Sequence, residues 1–233
     1  DLYYKILPAG TYTFDADSWT IPSGELNATA AIKIDLNKIE ELGSLYDDYV
    51  LPLRITSSTG EPMGQNKYTK VLAHIGFKND YSGTYSGKGI ITQQGTTYTT
   101  EITSTQLYAI NNDICYMFVG EKTRANTPDY LNYVVEIKRD EWGGITLSSE
   151  VGSLEFKSYN SKLSRKYTYN YNDQRYYTEI TTVELAYEYL DKTQSEDLRM
   201  TFEGSFSMSR DVLRVEYPNV CLLYTSDAAD EAR

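Results

Sequence analysis

The stretch Asp80–Gly89, DYSGTYSGKG, decides how this chain divides. It is glycine-rich and runs through Gly-Lys, the chemistry of a phosphate-cradling loop. The spacing excludes that reading. A P-loop needs G-x-x-x-x-G-K-[ST] between a buried strand and a helix. Here Gly83 and Gly87 stand one residue too close, and Gly89 replaces the hydroxyl residue that would hold a metal ion. The residues that follow, IITQQGTTYTTEITST, are β-branched and aromatic, the composition of strands rather than a helix. The stretch therefore reads as a hinge and the first strand of a second β domain.

Working outward, strands appear on both sides with no helix–strand alternation. Upstream, Trp19–Glu25 reads as a short strand with a Pro-x-Gly turn. Ala28, Ala30, Ile32, Ile34 and Leu36 alternate with smaller or polar residues, as in a half-buried strand. NKIEELGSLYD suits one or two helical turns. YVLPLRITS alternates again, and Pro52, which cannot donate to a ladder, predicts an edge or bulged strand. KVLAHIGFK closes this part. Short strands separated by turns indicate a sandwich, here immunoglobulin-like over residues 1–79. That is short of the roughly 100 residues of a full domain of this kind, so one or two N-terminal strands are expected to be missing. The absence of a leading Met points the same way.

Downstream, residues 80–220 carry eight predicted strands: 81–92, 96–108, 114–121, 131–139, 144–149, 154–171, 175–190 and 198–209. Val183, Leu185, Tyr187 and Tyr189 oppose Thr182, Glu184, Ala186 and Glu188. Leu198, Met200, Phe202, Gly204 and Phe206 alternate in the same way. Consecutive hairpins of this length favour an antiparallel meander that removes its edges by closing into a calycin-like barrel. The fold class is thus all-β, a sandwich followed by a barrel.

Composition narrows the function. The 233 residues carry a net charge of −11 and show no basic patch, which argues against nucleic acid. No apolar run approaches the roughly 20 residues of a membrane-spanning helix. Tyrosine is the outlier, with 23 residues against 6 Phe and 2 Trp. Tyrosine suits strands with one wet face and surfaces that meet polar ligands. His74 is the single histidine and sits in an apolar strand, so a structural role is expected. No G-x-S-x-G elbow is present to build a catalytic triad around it. One histidine and two cysteines exclude a zinc site built from those residues. Asp80 and Asp173 lack calcium-loop spacing. The acidic pairs Glu40-Glu41, Asp47-Asp48, Asp140-Glu141 and Glu196-Asp197 fall mostly in turns, as solvated charge does, rather than across a hydrolytic cleft. No catalytic residue, cofactor or metal is expected.

Exposed aromatics remain as candidates. Trp142 lies in the turn DEWGG, flanked by Asp140 and Glu141, and Tyr130 and Tyr133 flank the preceding strand. Sugars stack their C–H faces on such rings while carboxylates accept their hydroxyls. These five residues form the expected glycan-binding set, and Trp19 is a lesser candidate. The competing expectation is that the rings cover the ends of the barrel or the domain interface.

LYYKILPAGTYTF, WTIPSGELNATAAIKIDL, YVLPLRITS and VLAHIGFKNDYSGTYSG resemble the two-domain surface lipoproteins of Bacteroidetes, most closely over residues 1–90. That resemblance implies a lipid-anchored protein on the outer membrane, its signal peptide and lipidated cysteine upstream of Asp1. It implies a non-catalytic role in a polysaccharide-utilisation system, beside sugar importers and glycosidases, as a glycan-binding or assembly component. The alternatives are an accessory region of a glycosidase whose catalytic domain is absent, and a structural adhesion module. At the other end CLLYTSDAADEAR breaks the β pattern. Over Cys221–Glu231 it resembles a translated sequencing adapter, so residues 221–233 are expected to be a non-native tail without β pairing. Without it only Cys115 remains, and no internal disulfide can form.

Overall fold

The computed structural model describes residues 4–41, 48–59, 65, 69–140, 144–193 and 195–216. Expectations for the tail at 221–233 lie outside the described residues. The chain divides into two compact units, with the boundary between Phe77 and Lys78.

The first unit holds two small sheets. Strands β1 (Tyr4–Ile6), β4 (Asp48–Arg54) and β5 (Lys70–Ile75) form one in the order β1-β4-β5, with β1 parallel to β4. Strands β2 (Tyr12–Phe14) and β3 (Ile32–Ile34) form the other, followed by helix α1 (Leu36–Glu41). Leu7, Ile39 and Tyr49 are buried together, with Tyr12, Ile34, Ile75 and Phe77 packed around them. Both sheets and the helix thus contribute to one sandwich core.

Three local expectations need correction. Trp19–Glu25 forms no strand. Only its turn is present, closed by Glu25 N–H donating to Pro22 O at 3.0 Å. Trp19 instead donates to Asp15 Oδ1 at 2.9 Å. The strand expected from Ala28 shrinks to Ile32–Ile34, and Ala28 and Ala30 are exposed. A methyl group buries too little apolar area to hold a strand down. Strand β4 is central, not an edge. Pro52 is tolerated because β1 pairs only with Asp48–Val50, leaving Pro52 bonded towards β5 alone.

The second unit is an antiparallel barrel of β6 (Gly83–Gln93), β7 (Thr99–Ala109), β8 (Ile114–Phe118), β9 (Val134–Arg139), β10 (Ile145–Ser148), β11 (Lys157–Ser158), β12 (Lys162–Tyr169), β13 (Tyr176–Asp191) and β14 (Leu198–Leu213). The sheet order is β10-β9-β8-β7-β6-β14-β13-β11, with β12 also on β13. The chain therefore walks around the barrel, closes through β14 on β6, and leaves one unpaired seam where β10 approaches β11. Odd-numbered residues of β13 face inward, and Val183, Leu185, Tyr187 and Tyr189 pack with Phe202, Phe206, Leu107 and Ile137 in one core.

The opening stretch has a structural explanation. Tyr81 and Tyr85 are fully buried, and the Tyr85 hydroxyl donates to Tyr81 O at 2.7 Å. Asn79 Oδ1 accepts from the N–H groups of Tyr81 and Ser82, and its Nδ2 donates to Asn111 O at 2.7 Å. The glycines serve close approach. The register shifts between Ser86 and Gly89, and a Cβ at Gly87 would stand 2.1 Å from Ser205 O. Gly89 faces Gly204 across the ladder, under the stacked rings of Phe202 and Phe206.

Candidate functional site

An up-and-down barrel collects its connections at two ends. One end, the mouth, gathers the β6–β7 hairpin, the β8–β9 connection, the β10–β11 connection and the β13–β14 hairpin. The other end carries Asn79–Ser82 and the β7–β8, β9–β10 and β12–β13 turns.

Two cavities open at the mouth. The first, about 430 Å³, has a floor of Ile91, Tyr189 and Met200, where inward-facing strand residues end. Its rim carries Gln93, Tyr98, Thr100, Glu121, Ser195 and Glu196. Tyr98 is 60% exposed, yet its position is defined. Its N–H donates to Thr96 Oγ1 at 3.1 Å, its carbonyl accepts from Gln93 N–H at 3.2 Å, and its hydroxyl accepts from Thr100 Oγ1 at 3.2 Å. The phenol is held at both ends while the ring remains open to solvent. The second cavity, about 370 Å³, is lined by Thr127, Asp129, Asn132, Tyr133, Ser153 and Lys192, among others.

A polar group belonging to both cavities stands between them. Lys122 Nζ lies 2.7 Å from Asp191 Oδ2, donates to Thr193 Oγ1 at 2.8 Å, and sits 5.3 Å from the Tyr133 ring centre. Asp191 also accepts from Thr193 N–H at 2.9 Å and its hydroxyl at 2.7 Å. Burial pushes the Asp191 carboxyl up, but the bonds from Lys122 and Thr193 outweigh it and the net direction is down. These groups bond to one another, so they shape the mouth.

Of the sequence-predicted site residues, the described Tyr130 and Tyr133 lie at one end of β9 and Asp140 at the other. Tyr130 and Tyr133 lie in the 3-10 turn Tyr130–Tyr133 at the mouth. Tyr133 is buried, and its hydroxyl accepts from Lys192 N–H at 3.0 Å. It is a wall of the second cavity, which corrects the expectation of an exposed platform. Tyr130 packs on the outer face, edge-on to Phe118 and under the Arg124 guanidinium. Asp140 lies at the opposite end of β9, which is six residues or roughly 20 Å long. Its Oδ1 accepts from Gly144 N–H at 2.7 Å and closes the turn. Glu141 and Trp142 lie outside the described residues. In the first unit Trp19 is 40% exposed. His74 is exposed on β5, edge-on to Tyr4.

Tyr98 was missed because its alternation with Thr100 and Ile102 merges it into β7. Gly95, at φ +78, is the sequence signal that a hairpin turn precedes it. Among the described residues no His/Cys/Asp/Glu cluster could hold a metal, and no helix is long and apolar enough to cross a membrane.

Residues 1–62 match a family model of an N-terminal domain, and residues 69–207 match one of a C-terminal domain. No curated protein matches the chain. Several solved structures share the fold. A multidomain protein including DUF1735 from Bacteroides ovatus is 18% identical, with a TM-score of 0.76 over 93% of this chain and 73% of its own. A protein of unknown function from the same organism is 20% identical, with a TM-score of 0.74 over 97% and 75%. An auxiliary nutrient binding protein from Bacteroides thetaiotaomicron VPI-5482 is 18% identical, with a TM-score of 0.75 over 91% and 72%. The C-terminal match covers more than half of the chain, so the chain belongs to the two-domain family that these N-terminal and C-terminal models describe.

Proposed function

We propose that this chain is a non-enzymatic accessory protein of nutrient uptake that binds a glycan at the mouth of its barrel. One observation carries the reading: an open cavity with an apolar floor, a tethered but exposed tyrosine ring and a rim of amide, hydroxyl and carboxylate groups. A pyranose offers an apolar face for the ring and hydroxyls for the rim, and such convergence of apolar and polar groups marks binding sites generally. The nutrient-binding neighbour of the same fold supports the reading. So does the resemblance to surface lipoproteins, from which a lipid anchor on the outer membrane, beside an importer or a glycosidase, would follow.

The test is a glycan array followed by calorimetry on the hits, with wild type, Tyr98→Ala and Trp142→Ala. Loss of the Tyr98 ring is expected to weaken binding by tenfold or more, with the circular dichroism spectrum unchanged. Release of no reducing sugar from the bound glycan is expected. Equal binding by wild type and Tyr98→Ala would remove the site from the mouth. Loss in Trp142→Ala alone would move it to the β9–β10 connection.

A further inference from the structure

Charge separates the classes of glycan that the mouth can hold. Of the groups lining the larger cavity, Glu121, Asp191 and Glu196 are acidic and Lys122 is basic. That lysine is engaged by Asp191 at 2.7 Å and by Thr193 at 2.8 Å, with its side chain only 15% exposed. Two of its three N–H donors are thus taken, and the Tyr133 ring lies 5.3 Å from the ammonium. Glu121 and Glu196 are exposed on the rim. The second cavity is lined by Asp129 and Lys192, and Lys192 lies 3.7 Å from Asp197. The whole chain is acidic as well, with a net charge of −11. In the larger cavity a bound uronate or sulfate would therefore meet like charge, with the one cation among the described lining residues already paired to Asp191.

We infer that the mouth selects an uncharged glycan and rejects acidic ones, an inference that rests on the glycan-binding reading of the same cavity. The hydroxyls of a neutral sugar donate to the rim carboxylates, a charge-assisted bond stronger than a neutral one. Two unit charges within about 6 Å of a third like charge disfavour it by about tenfold, even at the dielectric constant of water.

The experiment measures binding of neutral tetrasaccharides (cello-, manno-, xylo- and laminaritetraose) against tetragalacturonate and a chondroitin sulfate tetrasaccharide, at low salt. It uses wild type and the double variant Glu121→Gln, Glu196→Gln. Binding of a neutral chain at least tenfold tighter than either acidic chain is expected. The double variant should narrow that gap by about tenfold, with the acidic chains binding more tightly than they do to wild type and the neutral chain somewhat more weakly. Acidic chains binding wild type as tightly as neutral ones would overturn the selectivity and leave glycan binding standing. An unchanged gap in the double variant would show that the rim charges are not its cause. Binding of neither class would overturn the glycan reading itself.

Discussion

Gly87→Ala should destabilise the barrel severely, because the atoms that its methyl group meets cannot move aside. A Cβ built there lies 2.1 Å from Ser205 O and 2.7 Å from Phe206 Cα, both backbone atoms of β14. Ordinary contact begins at 3.4 Å, so β6 and β14 would have to part by more than 1 Å at this rung. That rung belongs to the ladder that closes the barrel, Met200–Ser207 on Ser86–Gln93. Overpacking a core costs about 1–3 kcal/mol where side chains can adjust, and more where they cannot. A loss of about 3 kcal/mol is expected, or roughly 10 °C in the melting temperature of a unit this size. Gly89→Ala supplies a graded comparison. Its Cβ meets only ring atoms, Phe202 Cζ at 2.6 Å and Phe206 Cζ at 2.8 Å, and rings can turn. About 1–2 kcal/mol is expected there. Gly152→Ala, with nothing within 4 Å, should stay within about 0.5 kcal/mol of wild type. Guanidinium unfolding followed by circular dichroism reads all three from the transition of the second unit. The order Gly87, Gly89, Gly152 is the prediction, and Gly87→Ala melting with wild type would refute the close approach of β6 to β14.

Three further outcomes follow from the geometry. Lys122→Met leaves Asp191 buried without its cation and should cost about 3 kcal/mol; adding Asp191→Leu should recover much of it, and a double-mutant cycle by chemical denaturation that shows simple additivity would dissolve the pair. Glu188 accepts from Lys157 at 2.7 Å and from Tyr159 at 2.6 Å, and these bonds, with Lys157 first, bring its carboxyl down to about 2. Its folded pKa lies below the unfolded value, so its contribution is complete above about pH 4.5 and fades as pH falls towards 2. Glu188→Gln should lose about 1–2 kcal/mol at neutral pH, and its stability gap to wild type should close on acidification; a gap that is constant from pH 6 to pH 2.5 would contradict this. Finally, the boundary between the units falls after Phe77 and Lys78 is exposed, so brief trypsin digestion should cut there first. Mass spectrometry that finds this bond among the last to be cut would count against a separable junction.

Much of the barrel could be read from the chain because the period of two is written into it. Residues 182–189 and 198–206 alternate, and a slip of one position would turn the rings and aliphatic side chains they give to the core outward. DYSGTYSGKG was legible for a similar reason: spacing alone excludes a P-loop, and local composition announces the strand that forms as β6. The small sandwich was less legible. Its strands β1, β2 and β3 are only three residues long, too short for periodicity to speak, and the parallel pairing of β1 with β4 is non-local. Which aromatic ring is exposed was not legible at all. Tyr98 and Tyr133 are the same residue type, and each lies beside a strand end. One stands open at the β6–β7 hairpin, and the other is buried in the barrel core, its hydroxyl accepting from Lys192, far along the chain. The salt bridge between Lys122 and Asp191 likewise exists only because two connections meet at one mouth. Alternation and turn chemistry are properties of neighbours in sequence, so the chain alone determined the long strands of the barrel. Exposure and charge pairing depend on which distant residues arrive at the same place, and only the closed barrel decided those.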